Sequence, residues 1–451
     1  MDEADRERRK RRVARIYEAF RVVVAEYERE PPRPPVLSFP NSEWRVDSIG
    51  PWEVIYKRPE TARALAALTE TIDKQSEAWA DRYSKKHLQQ IFRGTLGQAY
   101  YEQLSEGDAI ELLRLAAISL DEPPHEWVAY YPVEGVFFAG ELAFANIRCF
   151  RMIDAEFENL VKTYQDGIDS TIGSDERKAQ LREVWDRNVS QLCGLSCIEV
   201  RTSGGDDAFL REAADRALER ATDLLQLTID VTGASPRTVL RGNLLPQAVP
   251  PRVMFRIDGE AAQLYNDLKH THRANLSSEN LEKLCDKGFG PVLDALSEPH
   301  AKLSKIQQAL LNSMHWIADS RRQANRENRI TSAVTAIEIF FVTDGNAPIA
   351  REVSEGVAWI LGDNLEQRKH LRKLMSDLYG RRSKVSHVGL RNIDEGEERE
   401  VYRVAVSVLV QMCRLSATFK TQEEIRNWLA DCRLSGASRF PGTGADNKSA
   451  I

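Results

Sequence analysis

Arg382 and His387 stand five residues apart in the stretch Tyr379-Gly380-Arg381-Arg382-Ser383-Lys384-Val385-Ser386-His387-Val388-Gly389. Their types suit chemistry on a phosphate. An imidazole titrates near neutrality and can take or give a proton at cellular pH. A guanidinium stays charged and offers a planar fork to phosphate oxygens as negative charge builds on them. Between Glu366 and His387 the chain carries seven basic residues (Arg368, Lys369, Arg372, Lys373, Arg381, Arg382 and Lys384) against two acids, Glu366 and Asp377. On a helix, Arg368, Arg372, Tyr379 and Arg382 fall within about 80° of one another. A basic stripe with a tyrosine on it suits a phosphate backbone. It also adjoins an apolar stripe, so it equally suits the flank of a helix–helix interface.

The R-x4-H spacing alone is a weak signal, because Arg82 and His87 repeat it. Those two read as surface residues of an ordinary helix. A purely structural reading of Arg382 and His387 is also available. Arg382 would pair with Glu338 or Glu398 inside a bundle, and His387 would favour a helix C-terminus through the macrodipole.

Other constellations are poorer. Lys269-His270-Thr271-His272 has two histidines only two apart and reads as surface rather than metal site. The six cysteines, Cys149, Cys193, Cys197, Cys285, Cys413 and Cys432, form no CxxC pair and read as free thiols in a reducing compartment. The strand Ser196–Arg201, the Gly204-Gly205 turn and the helix to about Val231 resemble a phosphate loop in outline. They lack the Lys-Ser/Thr pair, and Asp206 and Asp207 stand where a phosphate would sit. Those acids read as helix caps.

The elements that must position Arg382 are helices. Ala301–Asn325 is one, with Leu310, Met314 and Ile317 on one face. Ile330–Val342 is apolar nearly all round and should be central. Within it Glu338 is a lone carboxylate that needs a partner, for which an Arg of a neighbouring helix is the natural candidate. Ile349–Leu361 stops at Gly362, and Asp363 with Glu366 makes a capping box for the helix that carries the basic stripe. Glu398–Leu415 is amphipathic, and Thr421 with Glu424 caps a last short helix.

The rest of the chain reads as mixed α/β. Residues 1–30 form a charged helix, ended by Pro31-Pro32-Arg33-Pro34-Pro35. Two short strands surround Gly50-Pro51, helix runs from Thr61 to Leu104, strands fill Trp127–Phe150, and helix returns over Val161–Val189. Pro236–Pro251 is a loop, Val253–Ile257 a strand, and everything from Asp258 is helical. The fold class is therefore α+β, predominantly α. The organisation is a charged helix (1–30), a mixed region of sensing or regulatory type (31–290, with a possible split near 190), a helical domain (300–436) and a disordered tail (437–451).

With 451 residues the chain has room for two or three domains. Its net charge of −6 excludes a whole-protein polycation, so any nucleic-acid contact must be local. The longest nearly apolar stretches are about half the ~20 residues of a spanning helix. The acidic N-terminus lacks an apolar signal core, which implies a cytoplasmic location.

The segment from Tyr379 to Gly389 resembles the signature of HEPN domains, in particular the Apea-like group, whose pattern is an aromatic, then Arg-Ser, then His-Gly. Here Val388 intervenes between His387 and Gly389. The resemblance extends over about 130 residues, through the Glu338 helix, the helix ending Trp359-Ile360-Leu361-Gly362 and the charged helix into Tyr379. It implies an all-α bundle that dimerises so that two motifs face one cleft, and a metal-independent ribonuclease needing no cofactor. RNA supplies its own nucleophile, the 2′-hydroxyl, so the protein has only to move protons and hold the phosphate. His387 would be the acid/base and Arg382 the phosphate clamp. Tyr379 and Ser383 would orient them, and Arg368, Arg372, Arg381 and Lys384 would line the RNA. Similar proteins are toxic effectors of bacterial anti-phage defence, which implies an unidentified activator for the N-terminal region. The alternatives are a HEPN-like module that binds RNA or a nucleotide without cleaving it, and a dimerising structural or interaction protein. On an ideal helix Arg382 and His387 lie roughly 140° apart. Either the helix distorts near Gly380 and Gly389, or a dimer assembles the site.

Overall fold

The structure is a computed structural model that describes residues 3–29, 45–49, 52–56, 58–80, 82–122, 124–133, 135–170, 174–189, 192–233, 253–256, 262–263, 274–298, 302–323, 325–342, 349–388 and 394–435. Residues 236–251, Lys269-His270-Thr271-His272 and the 437–451 tail lie outside them. The chain is predominantly helical α+β and divides into two units, Met1–Trp127 with Thr202–Ala213, and Val128–Arg201 with Ala214–Ile451.

In the first unit, α1 (Glu3–Tyr27) buries Ile16, Tyr17, Phe20 and Val23 in a core shared with α2 (Pro59–Ser76), α3 (Lys85–Tyr101) and α4 (Glu106–Ser119). β1 (Arg45–Ile49) pairs antiparallel with β2 (Trp52–Tyr56), Ile49 facing Trp52, and the Gly50-Pro51 turn expected between them lies outside the described residues. The helical stretch expected over 61–104 is two helices, because a 3-10 turn at Glu77–Trp79 and the Ser84 N-cap divide it. Ser84 Oγ accepts the His87 amide at 3.2 Å. Arg82 precedes that cap, and both Arg82 and His87 are half-buried, His87 stacked on Tyr83. They are not surface residues of one helix.

The Gly-Asp turn is a cap, as its acids suggest. Asp206 Oδ1 accepts the Ala208 and Phe209 amides, each at 3.0 Å, and Oδ2 accepts the Ser84 amide at 2.6 Å. A Cβ on Gly205 would stand 2.0 Å from the Tyr83 ring, so this turn is closed by protein. β7 (Ser196–Gly204) and α7 (Asp207–Thr232) cross the division between the units.

The second unit holds a six-stranded sheet in the order β5 (Leu142–Phe144), β6 (Ile147–Arg151), β7, β3 (His125–Val133), β8 (Val253–Arg256), β9 (Ala262–Gln263). β6 pairs antiparallel with both neighbours, Ile147 facing Val200, and between β6 and β7 the chain forms α5 (Asp154–Ser170) and α6 (Asp175–Val189), two helices over the stretch expected as one. β10 (Ala274–Leu276) runs parallel to β4 (Val136–Phe138). β9 and β10 replace helix expected beyond Asp258. Two or three residues are too few to show a period, and backbone pairing decides them. Two short helices, α8 (Ser278–Leu284) and α9 (Gly290–Ser297), are joined by a π-type turn in which Gly288 takes φ +97°.

Six longer helices follow: α10 (Lys305–Arg322), α11 (Arg326–Glu338), α12 (Ile349–Leu361), α13 (Leu365–Val388), α14 (Glu395–Leu415) and α15 (Gln422–Ser435). α11 is central, with Ile330, Ala333, Val334, Ala336 and Ile337 buried among α10, α13 and α14. α15 opens on the expected box, Thr421 Oγ1 accepting the Glu424 amide at 3.2 Å. These helices share their unit with the sheet and most of α7. α7 explains this. Residues 221–229 of α7 are buried all round, and its acids bind the later helices. Asp223 accepts Arg322 at 2.5 Å and bonds His315 Nδ1 at 3.0 Å, while Asp230 accepts the Tyr402 hydroxyl at 2.6 Å. Among the described residues no helix is long and apolar enough to cross a membrane.

Candidate functional site

The turn from α12 into α13 fixes where the basic stripe begins. A Cβ on Gly362 would meet the Ala358 carbonyl oxygen and Arg368 Cγ, each at 2.6 Å, so only glycine lets the two helices close here. The cap forms one residue later than Asp363 and Glu366 suggest. Asn364 Oδ1 accepts the Gln367 amide at 3.0 Å, and Gln367 Oε1 accepts the Asp363 amide at 2.9 Å. Glu366 instead pairs with Lys369 at 2.9 Å.

Arg368 then folds back over the turn. Its Nε donates to the Gly362 carbonyl at 2.9 Å, which satisfies one of the open acceptors at the end of α12. Its guanidinium carbon lies 3.9 Å from the Trp359 ring centroid, a cation–π contact. Arg372, exposed on the next turn, reaches Glu355 of α12 with Nη2 at 3.3 Å.

At the far end, Met375 and Leu378 bury the apolar side of α13. Tyr379 and Arg382 face α11. Arg382 Nη1 donates to Glu338 Oε1 at 2.7 Å and to the Tyr379 oxygen at 3.1 Å. Tyr379 also stands near enough to Glu338 for the carboxylate to act on its phenol. Glu338, the acid at the apolar end of α11, thus has the arginine partner its burial demanded. Glu398 is taken by α11 instead, accepting Arg329 at 3.0 Å with Arg326 at 3.4 Å. Arg381 pairs with Glu397 of α14. The backbone of α13 runs on through Ser383, Lys384 and His387, whose side chains lie outside the described residues.

Burial, and then the neighbouring Glu338, push the Tyr379 phenol up to about 12, so it stays protonated at neutral pH. Arg382 is 28% exposed, and its Nε is buried with no hydrogen-bond partner among the described residues. The arrangement holds one guanidinium in a fixed pose with its charge partly balanced. Such a group can bridge Glu338 to an arriving anion. α13 is a continuous helix through Gly380, so the positions of Arg382 and His387 differ by about 140° around its axis.

No family model, no curated protein and no solved structure matches this chain. Sequence reasoning assembled the stripe on α13 and offered Glu338 to Arg382, but it missed Glu355 and Glu397, the acids that meet Arg372 and Arg381. Glu355, Glu338 and Glu397 come from three other helices. The signal for Glu355 was present locally, since Arg351 stands one turn before it on α12 and bonds it at 2.9 Å.

Proposed function

We propose that this protein is a metal-independent endoribonuclease acting through Arg382 and His387. The observation that carries the reading is Arg382 itself. It is a partly exposed guanidinium, braced by Glu338 and Tyr379 at the end of a helix rich in basic residues. In this reading Arg382 clamps the scissile phosphate and His387 moves the proton as the ribose 2′-hydroxyl attacks. The bond to the 5′ oxygen breaks, leaving a 2′,3′-cyclic phosphate and a 5′-hydroxyl. Arg368, Arg372, Arg381, Lys384, Ser383 and Tyr379 serve the strand or the geometry. The continuous helix through Gly380 favours a site shared by two copies of the chain. The first unit and the sheet would then restrain or trigger a nuclease active in the cytoplasm against its own host during infection.

The deciding experiment is cleavage of single-stranded RNA by purified protein with chelator present. Wild type should release cyclic-phosphate ends, DNA should be resistant, and His387→Ala should abolish cleavage. Unchanged cleavage by His387→Ala refutes the site. The Arg382–Glu338 pair also favours a second reading, a module that binds RNA without cutting it. RNA binding with no cleavage under any activating condition selects that one.

A further inference from the structure

The carboxylate of Glu355 on α12 gathers guanidinium groups from three helices. Arg351 Nε on α12 lies 2.9 Å from Oε1, Arg372 Nη2 on α13 lies 3.3 Å from the same oxygen, and Arg433 Nε on α15 lies 3.5 Å from Oε2. The acid is only 13% exposed, while Arg351, Arg372 and Arg433 are 69%, 59% and 38% exposed. None of the three arginines has another ion partner among the described residues. Part of each arginine side chain stays open to solvent.

One cation would satisfy Glu355. The second and third add mutual repulsion within a few ångströms, and an exposed ion pair returns little stability for it. The cluster is therefore poorly explained as a brace for α12, α13 and α15. It leaves two positive charges in excess on a rigid base. Converging guanidinium forks of this kind match phosphate oxygens.

We propose that the Glu355 cluster is a phosphate-binding subsite for an RNA strand that also reaches Arg382. The RNA assignment rests on the function proposed above; the phosphate chemistry stands on the cluster alone. Arg372 and Arg382 are ten residues apart on one continuous helix, about 15 Å along its axis. The phosphate held at Glu355 therefore lies a few nucleotides from the one at Arg382, and Glu355 sets the pose of the arginines that hold it.

The test is binding of labelled single-stranded RNA of graded length to full-length His387→Ala protein, which keeps the strand intact, with inorganic pyrophosphate as the free-phosphate probe. Adding Arg433→Gln should weaken long oligomers roughly three- to tenfold at low salt and flatten the salt dependence by about 0.7 in log–log slope per lost contact. Oligomers too short to span the two sites should be indifferent. Adding Glu355→Gln should tighten binding, the opposite of what loss of a structural brace does. Melting curves confirm that each variant is folded. RNA binding that Arg433→Gln and Glu355→Gln both leave unchanged overturns the subsite while the RNA reading stands. Pyrophosphate binding lost in Arg433→Gln, with no RNA bound by any form, overturns the RNA assignment and keeps a free-phosphate site. Binding of neither probe overturns both.

Discussion

Arg382 of α13 and Glu338 of α11 lie 2.7 Å apart, and the same Arg382 nitrogen donates to the Tyr379 hydroxyl at 3.1 Å. The pair therefore has a structural value that is separable from any catalytic one. Replacing Arg382 with Met leaves Glu338 inside the bundle without its cation. The expected loss is about 1–3 kcal/mol, read as a lower urea midpoint. Glu338→Gln alone should cost a similar amount. The double variant should lose clearly less than the sum, since each single change strands the other group. Additive losses would show that the two side chains do not interact in solution.

The same pair makes a specific demand on activity. Glu338→Gln retains Arg382 and Tyr379 but removes the charge that balances the guanidinium. If Arg382 clamps a phosphate, Glu338→Gln should bind RNA at least as well as wild type at low salt, whereas Arg382→Met should bind less well. Weaker binding in both variants, in proportion to their lost stability, would assign Arg382 a structural role alone.

Stability should fall with rising pH around neutrality because of His315. Its hydrogen bond to Asp223 holds the imidazole above its ordinary 6.5, helped by the charges of Asp223 and Glu219 and opposed by burial and Arg322. The folded state thus binds the proton more tightly than the unfolded chain. The stabilisation is complete below about pH 6.5 and is lost as pH rises through the raised folded value. His315→Gln should flatten the melting temperature between about pH 6 and pH 8, and a profile unchanged by the substitution would exclude His315 as its source.

Gly362 and Gly380 bracket α13 and should respond in opposite directions. A Cβ at Gly362 collides with the Ala358 carbonyl, so Gly362→Ala should cost about 1–3 kcal/mol. Gly380 is exposed within the helix and a Cβ there meets nothing within 4 Å, so Gly380→Ala should gain about 0.5–1 kcal/mol. RNA cleavage should survive Gly380→Ala. Its loss in this better-folded variant would mean that the site needs a bend at Gly380 after all.

How far the site could be read from the chain depends on where its partners sit in sequence. The ends of α12 were legible, because Pro348 and Gly362 punctuate an apolar period. The need of Glu338 for an arginine was legible too, since a lone acid on an apolar helix has few alternatives. The acids that meet Arg372 and Arg381 were not. A count of charges along α13 cannot see Glu355 or Glu397 arriving from other helices. α7 was equally opaque. Asp223 and Asp230 are ordinary in sequence, yet they bond His315 and Tyr402, 92 and 172 residues away. Periodicity reports which face is buried, and it cannot name the element that buries it.

Arg382 and His387 stand about 140° apart around the continuous helix α13. If two copies of the chain each lend one of these residues to a common cleft, variants lacking different members should rescue one another. Arg382→Ala and His387→Ala are each expected to be inactive alone. Mixed after partial unfolding and reassembly, half of the dimers pair unlike chains, and one of the two symmetry-related sites in each regains both groups. Activity should return to about a quarter of wild type. A site contained within one chain gives no rescue at any mixing ratio, because no chain in the mixture carries both groups. Specific activity of wild type should also fall on dilution through the dissociation range of the dimer, and a dilution-independent rate together with failed rescue would place the chemistry within a single copy.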